Sequence, residues 1–273
     1  MSENRTTRVV LGLWSVGVLL FLFIPILTIC TYAFNSSNVQ GWPIESFSTK
    51  WFSSTWHNEE MRHAFTLSLK AAVAATAIAL ILGTAAAFAL NRFRFFGREG
   101  VSLLLVLPIA LPGIITGMAL NSFFEFWSIS LSYWTIVIGH ATFCIVIVFN
   151  NVIARLRQTQ TSLIEASQDL GASGLQTFRF VIFPVISTAL VAGGLLAFAL
   201  SFDEVIVTTF TAGAQNTLPL WIFGNIRLGQ RLPEVNVVVL WVLLLTLVPV
   251  ILAQRLMRDT GVLRSRAAGA RGV

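Results

Sequence analysis

The stretch Ser162-Leu163-Ile164-Glu165-Ala166-Ser167-Gln168-Asp169-Leu170-Gly171, followed nine residues later by Val181-Ile182-Phe183-Pro184, is a polar island between two long apolar segments. Ser162 and Glu165 have the spacing of a capping box, in which a hydroxyl and a carboxylate satisfy the free amides of a helix start. Gly171 supplies the stop, because a residue without Cβ takes positive φ at little cost. The pattern predicts a short helix from about Ser162 to Leu170. A second helix from about Ser173 then runs into the next apolar segment, giving a helix-turn-helix knuckle.

What flanks the knuckle sets the fold class. The chain has 273 residues, of which 56% are apolar and 11% charged, and its mean hydropathy is +0.80. A soluble domain of this size cannot bury that much apolar surface, so the bilayer is the expected solvent. Stretches of roughly 20 residues without persistent charge, long enough for about 30 Å of hydrocarbon, fall near 9–33, 64–90, 101–124, 134–151, 180–202 and 235–256. They are too long and too continuously apolar for barrel strands, so six transmembrane helices are expected. The first run exceeds a signal-peptide core and no small-residue cleavage site follows it, so it reads as a retained anchor.

Basic residues orient the spans, since Lys and Arg near segment ends stay on the cytoplasmic side. The loops on one side, with the termini, carry thirteen of them, among them Arg92, Arg94, Arg98, Arg155, Arg157 and Arg179, whereas the opposite loops carry Lys50, Arg62, Arg227 and Arg231. Both termini are therefore expected inside. The domain reading is a cytoplasmic segment 1–8, a membrane domain 9–258 with the knuckle at 160–184, and a cytoplasmic tail 259–273. The pI near 10.3 then reflects topology rather than nucleic-acid binding. Cys30 and Cys144 both lie within apolar spans, away from any loop where a disulfide would be useful.

The knuckle resembles the cytoplasmic EAA loop of ABC importer permeases: Glu-Ala-Ala, three residues, Gly, nine residues, Ile, any residue, Leu, Pro. Every spacing matches, with Ser167, Val181 and Phe183 replacing residues of similar size or hydrophobicity. The resemblance implies a type I importer permease in a prokaryotic cell membrane. It further implies that Glu165, Ala166, Ser167, Gly171 and Pro184 form a coupling element docked in a cleft of a separate ATPase subunit. It also implies a dimer of such ATPases carrying ATP and magnesium, a second permease subunit and an extracytoplasmic binding protein. Consistent with this, the chain's two lysines, Lys50 and Lys70, do not follow glycine, so no Walker A loop exists here. The three histidines and two cysteines have no metal-site spacing, and no hydrolase motif is present. The expectation is a non-catalytic subunit that binds no metal or cofactor of its own.

The translocation path is read from interrupted or charged membrane segments. Pro108, Pro112, Gly113 and Gly117 in the third span either break the helix beside a cavity or merely kink it. Ser201, Asp203 and Glu204 close the fifth span, and two adjacent carboxylates at a membrane boundary either contact a cationic substrate or simply end a helix in water. Trp51, with Trp42 and Trp56, either stacks on an alkylammonium group or anchors at the interface. Glu125, His140 and Lys70 are isolated and read as snorkelling or internally bonded groups. The stretch Thr217-Leu218-Pro219-Leu220-Trp221 predicts a short membrane-edge helix.

The carboxylate cluster, Thr217 to Phe223, Pro233-Glu234-Val235-Asn236 and Asn91-Arg92-Phe93-Arg94-Phe95 are similar to spermidine and putrescine permeases, and this likeness covers most of the chain beyond residue 60. Gly113 departs from it, since those permeases carry an aspartate after the proline. Related permeases move thiamine, iron or phosphonates, and the carboxylates suit a cation better than a phosphonate. Two alternatives of other classes are an ion-coupled secondary transporter, for which no inverted repeat is evident, and a scaffold using the knuckle alone.

Overall fold

Alanine and glycine decide where the helices of this chain meet. The computed structural model describes residues 5–246. In chain order these form α1 (Arg5–Tyr32), α2 (Lys50–His57), α3 (Glu59–Arg92), α4 (Arg98–Ala110), α5 (Gly113–Phe126), α6 (Tyr133–Gln158), α7 (Thr161–Asp169) and α8 (Gly174–Thr177). A π turn (Phe178–Ile182) joins α8 to α9 (Phe183–Phe202), and α10 (Ile206–Thr211), α11 (Leu218–Leu228) and α12 (Leu232–Thr246) follow. Among the described residues no strand forms beyond an isolated antiparallel bridge between Asn35 and Phe47. The all-helical expectation holds.

Four of these helices are long and apolar enough to cross a bilayer, and α4 with α5 makes a fifth if the bent pair is one span. The helices overrun the stretches read from hydropathy: α3 starts at Glu59 and α6 continues to Gln158. Intrahelical hydrogen bonds persist after the chain leaves hydrocarbon, so polarity marks the membrane boundary and not the helix end. The expected third span, 101–124, is two helices bent by 106°. The sixth, 235–256, is described as α12 as far as Thr246, and its remainder lies outside the described residues together with the tail 259–273.

The chain divides into two compact units, Met1–Asn58 with Asn225–Val273, and Glu59–Gly224. In the second, α6 is the central helix, with α3 and α9 packed along it and Val148, Val152, Ile153 and Ile186 in the core between them. The middle of the face that α3 buries carries Ala71, Ala75, Ala79, Gly83 and Ala87, one small residue every four. Lipid is as apolar as leucine, so helices associate in it by close van der Waals contact, and small side chains permit the approach. A Cβ on Gly83 would lie 2.8 Å from the carbonyl oxygen of Ile145, and one on Gly193 of α9 would lie 3.3 Å from the Cα of Val148. Two neighbouring helices thus touch the backbone of α6 within one turn.

In the first unit, α2 is tied to the start of α12: Glu234 accepts from Ser54 Oγ at 2.6 Å and from Asn58 Nδ2 at 2.7 Å. Trp241 packs edge-on against Phe52 and Trp56. None of the apolar window of α1 is buried within the chain.

The crossing at Gly83 gives a direct test. Gly83→Ala places a methyl against backbone that cannot rotate away, and is expected to lower unfolding free energy by about 1–3 kcal/mol. Gly194→Ala adds a methyl 3.5 Å from the mobile end of Leu80 and is expected to change stability by less than about 1 kcal/mol. Thermal unfolding of the detergent-solubilised protein distinguishes the two, and equal melting temperatures would contradict the close-crossing account.

Candidate functional site

The knuckle forms, by a route slightly different from the expected one. Helix α7 begins at Thr161 with Gln160 as an extended N-cap and no side-chain cap, so the Ser162–Glu165 capping box is not made. Starting one residue earlier places Ser162 inside the first turn and leaves Glu165 exposed. The C-terminus follows expectation: Gly171 has φ +81°, the Gly171 amide donates to Gln168 O at 2.8 Å and the Ala172 amide to Ser167 O at 3.1 Å. These are the paired bonds of a Schellman stop. The capping box belongs to the next helix, where Ser173 N donates to Gln176 Oε1 at 2.8 Å and Gln176 N to Ser173 Oγ at 3.4 Å.

The hydroxyls of Ser167 and Thr177 are 2.9 Å apart and join the two helices of the knuckle, which gives the serine at this position of the pattern a partner that alanine would lack. Glu165, Ala166, Leu163, Leu170 and Leu175 are exposed, Leu170 at 89%. Three leucines, Leu163, Leu170 and Leu175, are thus displayed on an otherwise polar segment. At the far end, Phe183 N donates to Phe178 O, five residues back, in the π turn just before Pro184. Proline removes a donor and crowds the carbonyl four residues earlier, and the widened turn relieves that clash. Arg155 Nε donates to Val185 O at 3.0 Å and ties α9 to α6 above the turn.

The third expected span is broken rather than kinked. Leu111 and Pro112 are both extended, with ψ 145° and 133°, and the proline ring disfavours a helical conformation for the residue before it. Helix α5 then leaves at 106° to α4 and lies on α10. Gly117 meets the ring of Phe210 so closely that a Cβ would stand 2.6 Å from Cδ2, and Asn121 Nδ2 donates to Phe210 O at 2.9 Å. Gly113 has ordinary space, with Ile206 at 3.7 Å.

The residues read together at the end of the fifth span separate into different tasks. Ser201 is buried, and its hydroxyl lies 2.8 Å from His140 Nδ1. His140 Nε2 lies 2.8 Å from Thr208 Oγ1, which itself donates to Glu204 O at 2.6 Å. Since that donation uses the only proton of Thr208, its oxygen accepts from His140 Nε2–H, and in the neutral imidazole Nδ1 accepts from Ser201. Both ring nitrogens thus have partners, and His140 of α6 ties α9 to α10. Glu204 Oε1 accepts from the Val207 amide at 2.9 Å and caps α10. Asp203 is exposed at the end of α9, without a side-chain hydrogen bond among the described residues. Partial burial raises its carboxyl above the ordinary value.

Trp51, in the other unit, donates Nε1–H to Asn35 O at 2.8 Å, and Lys50 Nζ sits 4.6 Å from its ring centroid. The face offered to an alkylammonium group thus already holds an ammonium. The short helix α11 forms as expected, although the Leu218 amide is capped by Ser68 Oγ at 2.8 Å and the Thr217 hydroxyl finds no partner among the described residues. His140 and Phe210 are the residues whose organising role the sequence did not reveal, because their partners lie 61 to 89 positions away.

Comparison with known proteins places this geometry in a family. The family described as "Binding-protein-dependent transport system inner membrane component" matches residues 78–259. The chain is similar to the spermidine/putrescine transport system permease protein PotC of Escherichia coli (strain K12), 35% identical over 253 residues, covering 92% of this chain and 95% of that one. The putrescine transport system permease protein PotI of the same organism is 36% identical over 239 residues, covering 82% and 83%. A more partial likeness, 34% over 168 residues and 57% of this chain, is to the sulfate transport system permease protein CysT of Salmonella typhimurium (strain LT2). Among solved structures, a bacterial ABC transporter involved in import of the acidic polysaccharide alginate has the same fold, with TM-score 0.67 and 18% identity over 95% of this chain and 99% of that one. The chain belongs to the inner-membrane components of binding-protein-dependent transport systems and is a non-catalytic permease subunit of an ABC importer.

Proposed function

We propose that this permease imports polyamines, spermidine or putrescine, driven by ATP hydrolysis on a separate subunit. On this reading the membrane domain has six spans with both termini cytoplasmic. It pairs with a second permease subunit, receives substrate from an extracytoplasmic binding protein, and docks its knuckle on one member of an ATPase dimer that holds ATP and magnesium. Membership in the family replaces the ion-coupled and scaffold alternatives.

The observation that carries the substrate reading is that two relatives named for these diamines and triamines align with most of the chain. Asp203 supports it. An exposed carboxylate without a side-chain hydrogen bond among the described residues, at the end of a span, suits an ammonium group. The partial likeness to a sulfate permease favours a second reading, another small solute. A carboxylate at that position would repel a divalent anion. Ser201, Pro112 and Gly113 enter as shapers of the path, Ser201 through His140 and the Pro112–Gly113 pair through the break, while Trp51 stays in α2 of the other unit, its ring face already taken by Lys50.

For the coupling role, Glu165, Ala166 and Gly171 present the knuckle, Ser167 joins its two helices through Thr177, and Pro184 follows the π turn that leads into α9. An ABC importer moves substrate only if nucleotide-driven closure shifts the permease between inward- and outward-facing states. The shift needs a rigid contact on the ATPase.

Two measurements test these assignments in vesicles carrying the full complex. Glu165→Lys and Leu170→Asp, both exposed, are expected to leave the permease folded while reducing ATPase association and uptake by about tenfold or more, as for loss of an interface anchor. Full association would remove the coupling role. Asp203→Asn is expected to reduce spermidine uptake about tenfold, the cost of one charge-assisted contact, with ATPase association unchanged. Glu204→Gln, which keeps the oxygen that caps α10, should stay within about twofold of wild type, whereas Glu204→Ala should lose about 1 kcal/mol of stability. Uptake indifferent to Asp203→Asn, or a complex that ignores polyamines, would remove the substrate reading and leave the family assignment standing.

A further inference from the structure

A cavity of about 630 Å³ opens where α3 ends, α4 begins and α6 approaches its C-terminus. Three guanidinium groups line it, Arg94 from the connection between α3 and α4, Arg98 from the first residue of α4, and Arg157 from the last turn of α6. One carboxylate, Glu99, shares the wall, so the formal balance remains two positive charges. Among the described residues none of the three arginines forms an ion pair or a hydrogen bond through its side chain. Like charges gathered in excess of their counter-ions raise one another's electrostatic energy, and a bound anion removes that cost.

Two further features point to the kind of anion. Helix α4, 13 residues long, starts at the cavity wall behind Gly97, which has φ +84°, and no side chain caps it. Its open amides and the positive end of its dipole add to the arginine field in the way that suits a phosphate. Ser102 on the same wall offers a hydroxyl. Three exposed phenylalanines flank Arg94 in the connection: Phe93 at 58%, Phe95 at 45% and Phe96 fully. Basic residues alternating with exposed phenylalanines, at the point where two long apolar helices leave the bilayer, have the chemistry of a segment seated in lipid headgroups.

We propose that this cavity binds the phosphate of an anionic phospholipid, with Arg94, Arg98 and Arg157 around the phosphodiester and Phe93, Phe95 and Phe96 in the adjoining acyl boundary. The proposal rests on the chain being a membrane permease and is independent of the solute it carries. A free phosphate ion would satisfy the arginines equally well and gain nothing from the three rings, so the lipid is the fitting source. The bound headgroup would bridge α4 to α6, holding together two helices on the side of the membrane where the knuckle lies. Arg157 precedes α7 by only a few residues, so lipid occupancy would also steady the entrance to the knuckle.

The test uses the full-length chain, delipidated in neutral detergent and titrated with phosphatidylglycerol, with retained lipid counted by native mass spectrometry. Saturable binding is expected, weakened about fivefold for each arginine changed to glutamine. The Arg→Lys versions should stay within about threefold of wild type, because charge is kept while the bidentate fork is lost. Arg94 and Arg157 are exposed and Arg98 is half-buried, so the single variants Arg94→Gln, Arg98→Gln and Arg157→Gln are expected to melt with the wild type and are read even if the triple variant is unstable. Phosphatidylcholine should bind at least about fivefold more weakly than phosphatidylglycerol, and millimolar inorganic phosphate should fail to displace the lipid. Equal lipid retention in wild type and the arginine variants would overturn the proposal, as would equal binding of phosphatidylcholine. Displacement by inorganic phosphate would assign the cavity to a soluble anion and overturn the lipid assignment.

Discussion

Everything in the larger unit depends on how closely α3 and α9 approach the backbone of α6. Without a hydrophobic driving force between helices in lipid, contact density must supply the association energy, and density requires small side chains at the crossing. Ala71, Ala75, Ala79, Gly83 and Ala87 provide it from α3, and Gly193 from α9. Because 3.6 residues make a turn, a stripe repeating every four drifts slowly around the helix, so contact can persist along its length only if the partners cross at an angle. With α6 held in this way, its two ends become fixed reference points. His140 near one end and Arg155 towards the other reach hydrogen-bond partners on α9.

Those two polar contacts turn α9 into part of a frame rather than a free rod. Arg155 holds Val185 just beyond the π turn, and His140 holds Ser201 at the last turn. Between them α9 runs unbroken, and from Gly174 to Phe202 the helical path is 29 residues, about 43 Å at the rise of an α-helix. One continuous element therefore links the knuckle to Asp203. The π turn is the one interruption in it, placed below the Arg155 contact, where hydrogen bonding is weakest and a change of direction costs least. On the proposed coupling mechanism, displacement of the knuckle would either bend this turn or move α6 and α9 together.

Much of this was legible in the sequence because the bilayer simplifies the problem. Hydropathy located the helices, and the spacing of Glu165, Gly171 and Pro184 located the knuckle, since those positions answer to local rules: a stop glycine, a helix-entering proline and a polar interval of fixed length. The capping box was assigned one helix too early. Ser162–Glu165 and Ser173–Gln176 have the same spacing, and only the actual start of α7 decides between them. The break at Leu111–Pro112 was one of two options, because a proline leaves the choice of kink or break to its tertiary neighbours. Here α10 takes α5, through Phe210 against Gly117. The partners of His140 were not legible at all, being hydroxyls on other elements.

Asp203 and Glu204 show why adjacent residues of the same chemistry are not interchangeable. Glu204 stands before α10, where the Val207 amide donates to its carboxylate, so the fold itself gives that carboxylate a partner. Asp203 stands at the C-terminal end of α9, where the dipole is negative, and partial burial disfavours its charged form. No described residue gives its carboxylate a compensating hydrogen bond. Replacing it with a neutral residue would relieve both penalties, so stability alone gives no reason for an aspartate here. A cationic group arriving from outside the chain would offset both, whether it is an ammonium of the substrate or a side chain of the second permease. Assembly of the Asp203→Asn complex, measured beside its spermidine uptake, separates these two sources, because a lost subunit contact would weaken assembly while a lost substrate contact would leave assembly intact.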